Sequence, residues 1–119
     1  LTSFHYTGTI VDPTNNNTPV PAAALATLTL TLYNAADGAI INSRNLQNVL
    51  NANSVTVSAG GVLVWDSVIL DAPIVDTTLP YWRREAHIAR FDFTYPVGDP
   101  VKGGKIEVRI YVRNLKKVP

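Results

Sequence analysis

Alternation of apolar and polar positions runs through this chain and is clearest in its last third. Residues 105–113 set Ile106, Val108, Ile110 and Val112 on one face and Lys105, Glu107, Arg109, Tyr111 and Arg113 on the other. A period of two marks a half-buried strand. Residues 85–95 repeat it, with His87, Ala89, Phe91, Phe93 and Tyr95 sharing a face. The connector from Pro96 to Gly104 carries turn residues, so the two stretches predict an antiparallel hairpin. A register setting Phe93 against Val108 would bring Asp92 opposite Arg109 and Arg90 opposite Tyr111. Those would be a charge pair and a cation–π pair.

Upstream, Ser3–Val11 places Phe4, Tyr6 and Ile10 on one face and His5, Thr7 and Thr9 on the other, which predicts a first strand. The Pro/Asn-rich run 12–21 follows, expected as an irregular connection or an extended arm. Its Asn16-Asn17-Thr18 sequon is best read as chance in an Asn/Thr-rich chain. Ala26–Asn34 alternates Leu28, Leu30 and Leu32 with Thr27, Thr29 and Thr31, and the Asp37-Gly38 pair then turns the chain toward a short strand at Ala39–Asn42. Leu46, Val49 and Leu50 lie at helical spacing, so Arg44–Leu50 is expected to form one helical turn, too short to be stable alone. Val55–Val57, a turn at Ser58–Gly61 and a longer strand at Val62–Leu70 come next. That strand is apolar on both faces, Leu63, Trp65 and Ile69 against Val62, Val64, Val68 and Leu70, as for a central or doubly covered strand. Asp71–Tyr81 reads as a loop and 114–119 as a polar tail.

About seven short strands punctuated by turns predict one all-β domain over residues 1–119. The expected architecture is a two-sheet antiparallel sandwich of immunoglobulin-like type, with a small barrel as the alternative. The Cys–Trp–Cys signature of immunoglobulin domains is absent.

Composition narrows the function classes. Charged residues are 16% of the chain, against roughly 25% in soluble domains generally. That suits surface covered by other protein, and equally an ordinary weakly charged β-domain. A net charge of +1 gives no field to recruit nucleic acid or an anionic membrane, so neither is an expected partner. There is no cysteine, which removes disulfides and thiolate zinc sites. No run approaches the roughly 18 apolar residues of a membrane span. The chain opens on Leu1 and holds no methionine, as expected of a processed or trimmed product.

Candidate chemistry is thin. His87 shares a face with Phe91 and Phe93 and is expected to be a hydrogen-bonded core histidine; His5 lies on a Thr face and is expected to be solvated. A metal-dependent enzyme would need both to converge beside a carboxylate. Asp66, Asp71 and Asp76 are too widely spaced for a calcium loop. Gly60-Gly61 and Gly103-Gly104 are expected in turns, where positive φ explains them. Neither phosphate-cradling nor nucleophile motifs occur, so no enzyme activity, metal or cofactor is expected. Surface remains. Arg90, Arg109, Tyr111 and Arg113 on the hairpin's outward face form either a solvent face or a binding face. Tyr81, Trp82, Arg83 and Arg84 compose either an interaction hot spot or, through Trp82, a plug for the end of the sandwich. Val64 and Val68, on the apolar second face of their strand, would be covered by another chain if the protein works within an assembly.

The stretches Ala26–Asn34, 39–53, Val55–Val57, 62–65, 85–91 and 112–115 together resemble small Ig-like virion proteins of tailed bacteriophages, over roughly residues 20–119. The resemblance implies a non-enzymatic structural part of a virion, either head decoration or a neck or tail accessory. Capsid, neck or tail subunits are the partners it implies, and self-association into a homo-oligomer is also open. The alternative of another class is a carbohydrate-binding or adhesin module, which would expose Tyr81 and Trp82, or Trp65, as a flat stacking platform.

Overall fold

The computed structural model describes residues 5–12, 18–67, 78, 80, 83–95 and 102–113. They form an all-β molecule, as the alternation predicts. Its strands are β1 (His5–Thr9), β2 (Val11–Asp12), β3 (Thr18–Pro19), β4 (Thr27–Asn34), β5 (Gln47–Asn48), β6 (Val55–Val57), β7 (Val62–Asp66), β8 (Arg84–Tyr95) and β9 (Lys102–Arg113). A three-stranded sheet has the order β1-β7-β6, a four-stranded sheet the order β5-β4-β8-β9, and β2 pairs with β3; every pairing is antiparallel.

The two larger sheets meet through the apolar positions of the pattern. Leu28, Leu30 and Leu32 of β4, Leu63 and Trp65 of β7, and Ala89 and Phe91 of β8 have no exposed surface. Phe91 sits at the junction, edge-on to Trp65 at 5.5 Å and stacked at 6.3 Å on Tyr6 of β1. Burying one such ring contributes about 1.5–3 kcal/mol, so this contact is a main tie between the sheets. Tyr6 of β1 and Ile10 just after it turn inward while His5, Thr7 and Thr9 stay exposed, as their alternation requires.

The hairpin register differs from expectation. Phe93 lies opposite Gly104 rather than Val108, and the pairing runs unbroken from Arg84↔Arg113 to Tyr95↔Lys102. A Cβ on Gly104 would stand 2.9 Å from Phe93 Cζ, so the ring needs a residue without a side chain beneath it. The observed register also sets Asp92 opposite Lys105 and Arg90 opposite Glu107. Gly103 and Gly104 therefore belong to β9 and not to a turn; Gly104 supplies the ring clearance, whereas a Cβ on Gly103 would stand 2.8 Å from the Phe93 carbonyl oxygen. Because the slide is by an even number of residues, every side chain keeps its expected face.

The helical turn expected at Arg44–Leu50 is absent. Asn42, Ser43, Leu46, Asn51, Asn53 and Ser54 all have positive φ, which no right-handed helix tolerates. The segment instead lies along the edge of β4, with Leu32 N–H bonded to the Arg44 carbonyl and Val49 N–H to that of Leu28. Among the described residues a short 3-10 turn occurs elsewhere, at Ala22–Ala24.

The run 12–21 folds back at its described ends. Val11 and Asp12 pair with Pro19 and Thr18, and Val20 is buried in the core. Strand β7 is central in its sheet, and Val68, Ile69 and Leu70 of the longer strand expected there lie outside the described residues. Its second face carries exposed Val62 and half-buried Val64, the latter between Thr7 and Thr56.

Candidate interaction surface

The pleat sends alternate residues of β4, β8 and β9 to the outer face of the four-stranded sheet. Aligned by register, one row reads Ile40, Tyr33, Ile88, Arg109, and the next pairs Ala86 with Tyr111. Ile88 is only 7% exposed although it points away from the core. Ile40 is 43%, Tyr111 48% and Leu46 59% exposed, making them large apolar groups outside any core. Leu46 joins this face through its N–H, which donates to Thr31 Oγ1 at 3.1 Å. The Arg84 guanidinium lies 4.1 Å over the Tyr111 ring.

Toward the other end the face becomes charged. Arg90 Nε donates to Asp92 Oδ2 at 3.0 Å, Glu107 lies opposite Arg90, and Lys105 reaches Glu107 at 3.5 Å. These pairs are solvent-washed and individually worth under about 1 kcal/mol. The outer face thus grades from an aliphatic, aromatic and arginine patch into a ladder of alternating charge. Arginine and tyrosine over partly covered aliphatics is the composition of a protein-binding patch.

The structure gathers Arg84, Arg90, Arg109 and Tyr111 on this one face, and Arg113 stands opposite Arg84 in the register. The cation over Tyr111 is Arg84, whereas sequence pairing pointed to Arg90; the change follows from the register. Arg83 is exposed just before β8, its N–H bonded to the Pro80 carbonyl. Val64 belongs to the other sheet and does not join the patch. Tyr81, Trp82 and Val68 lie outside the described residues, as do Asp71 and Asp76.

Tyr33, Ile88 and Ile40 were not singled out by the sequence. A signal for two of them exists: Tyr33 is the one aromatic on the Thr face of β4, and Ile88 the one large aliphatic between Arg84 and Thr94 on its face.

Trp65 is no stacking platform. It is buried, with the Arg44 guanidinium 5.9 Å from its ring. Arg44 is itself buried and donates to Gln47 Oε1 at 2.8 Å and to the Asn53 carbonyl at 3.2 Å. The histidines do not converge either. His5 is exposed on β1 and bonded to Asp66, while His87 is buried in the other sheet with Nε2 2.5 Å from Glu85 Oε2. Asn34 faces His87 across β4 and β8. Among the described residues no group of three His, Asp or Glu side chains could hold a metal ion. At the opposite end of the core, Tyr95 donates to the Asp12 carboxylate; burial first, then that bond and its negative charge, raise the Tyr95 pKa.

Comparison with protein-family models, with curated proteins and with solved structures found no match. No described helix is long and apolar enough to cross a membrane.

Proposed function

We propose that the chain is a non-enzymatic structural component of a tailed-bacteriophage particle. In this reading it is an immunoglobulin-like β-sandwich that binds neighbouring virion subunits as a head decoration or head–tail accessory protein. The observation that carries the binding role is the outer-face patch of Tyr33, Ile40, Ile88, Arg84, Arg109 and Tyr111. A partner seated there would dehydrate exposed apolar surface and convert the solvent-washed Arg84–Tyr111 stack into a desolvated one, where such contacts strengthen. The low charge of the chain is consistent with surface that ends against protein. Repetition on a particle lattice would make weak individual contacts sufficient.

The test is the mass of the purified chain by light scattering, alone and after mixing with particles stripped of it. Rebinding that saturates at a fixed copy number per particle is the expected result. A chain that ignores particles but binds immobilised glycans through Tyr81 or Trp82 would replace this reading with the carbohydrate-binding one.

A further inference from the structure

Strand β9 is an edge. Among the described residues β8 is its single neighbour, and twelve residues give it a length of roughly 40 Å. The direction of its free groups follows from β8. The carbonyls of Thr94 and Ala86 accept from Ala26 and Ala35, so even-numbered residues of β8 point their backbone toward β4 and odd-numbered ones toward β9. The register then turns Gly104, Ile106, Val108, Ile110 and Val112 toward β8. Gly103, Lys105, Glu107, Arg109 and Tyr111 present their N–H and C=O groups outward.

Proteins blunt such edges with proline, bulges or inward-facing charge. From Gly104 to Val112 strand β9 has none of these: its pairing with β8 is unbroken, it contains no proline, and its inner face is Gly104, Ile106, Val108, Ile110 and Val112, with Lys102 sharing that parity only at the strand's first residue. Ile106, Val108 and Ile110 pack against the core yet stay only half-buried.

We propose that β9 pairs with β9 of a second copy of this chain, antiparallel about a twofold axis through Val108, merging two four-stranded sheets into one. The sequence of the edge selects this partner and this register. On the outer face Glu107 meets Arg109 of the mate and Lys105 meets Tyr111, each twice by symmetry. On the inner face Ile106 meets Ile110, Gly104 meets Val112, and Val108 meets itself. An axis through Glu107 would oppose Glu107 to itself and Lys105 to Arg109, and one through Arg109 would oppose Arg109 to itself; both put like charges together. Axes through Ile106 or Ile110 shorten the ladder. This self-pairing does not depend on the virion reading above.

Cross-linking tests it, because the chain has no cysteine of its own. In the proposed register Val108 forms a non-hydrogen-bonded pair with its mate, with Cα atoms about 4.5 Å apart and within disulfide reach. Ile106 and its own mate would be about 13 Å apart. The full chain carrying Val108→Cys, Ile106→Cys, or Ile106→Cys with Ile110→Cys is oxidised with diamide, with thermal melts confirming that each variant folds. Val108→Cys and the double variant are expected to give covalent dimer at least tenfold faster than Ile106→Cys. Adding Glu107→Arg to Val108→Cys should slow the reaction about tenfold, and adding Arg109→Glu as well should restore it. Equal rates for Val108→Cys and Ile106→Cys, or a wild-type chain that stays monomeric at hundreds of micromolar by light scattering, would overturn the proposal.

Discussion

Gly61 shows how one residue fixes the approach of two segments. Its φ is +79°, and a Cβ there would lie 2.8 Å from the Val20 carbonyl oxygen. Both the backbone conformation and the close contact demand glycine, so Gly61→Ala is expected to cost about 1–3 kcal/mol in urea denaturation. Tyr95 makes a second single-residue prediction. Its pKa is raised above the ordinary 10.0, so the folded state holds the hydroxyl proton longer than the unfolded one. Below pH 10 both states are protonated and stability is unaffected. As pH climbs past that value the unfolded chain ionises first, and stability falls until the folded pKa is passed. Alkaline denaturation should show this fall, and Tyr95→Phe should lessen it. The aspartate that helps hold the proton, Asp12, sits in a segment whose proline and asparagine content suggested only an irregular arm.

Among the elements, the β8–β9 hairpin and the Leu/Thr alternation of β4 were legible because their period is unbroken and each has one buried face. Register was not legible. Charge pairing favoured Phe93 against Val108, but the clearance a phenylalanine ring needs over its cross-strand neighbour is a three-dimensional requirement that Gly104 meets. Gly104→Val is therefore expected to destabilise the hairpin by about 1–3 kcal/mol, read as a lower Tm, while Gly38→Ala should cost less, since a Cβ there meets nothing within 4 Å and only its positive φ resists the change. The segment 42–54 misled for another reason. Leu46, Val49 and Leu50 match a helical spacing, yet Leu46 itself and the flanking Asn42, Ser43, Asn51, Asn53 and Ser54 take left-handed conformations, and the edge of β4 offered hydrogen bonds that a short helix could not match. Of the candidate surface, Arg84, Arg90, Arg109 and Tyr111 were visible as alternating outward positions. Ile40 was hidden because its place beside Tyr33 depends on a single bridge after a turn.

At the scale of the whole molecule, two sheets close on a shared core of Leu, Trp and Phe, and polar threonines clothe much of what remains outside. Against that background the Tyr33–Ile40–Ile88–Tyr111 patch stands apart, since it lies outside the main core and leaves Ile40 and Tyr111 exposed. Under the proposed function a protein partner covers it. Hydroxyl-radical footprinting of the chain, free and bound to particles that carry it, measures this directly, because Tyr33, Ile40 and Tyr111 are all oxidisable. Protection of those three residues on binding, with Val62 and Thr7 on the opposite sheet unchanged, is the expected result. Protection confined to the β1-β7-β6 face, with Tyr111 and Ile40 as reactive as in the free chain, would contradict it.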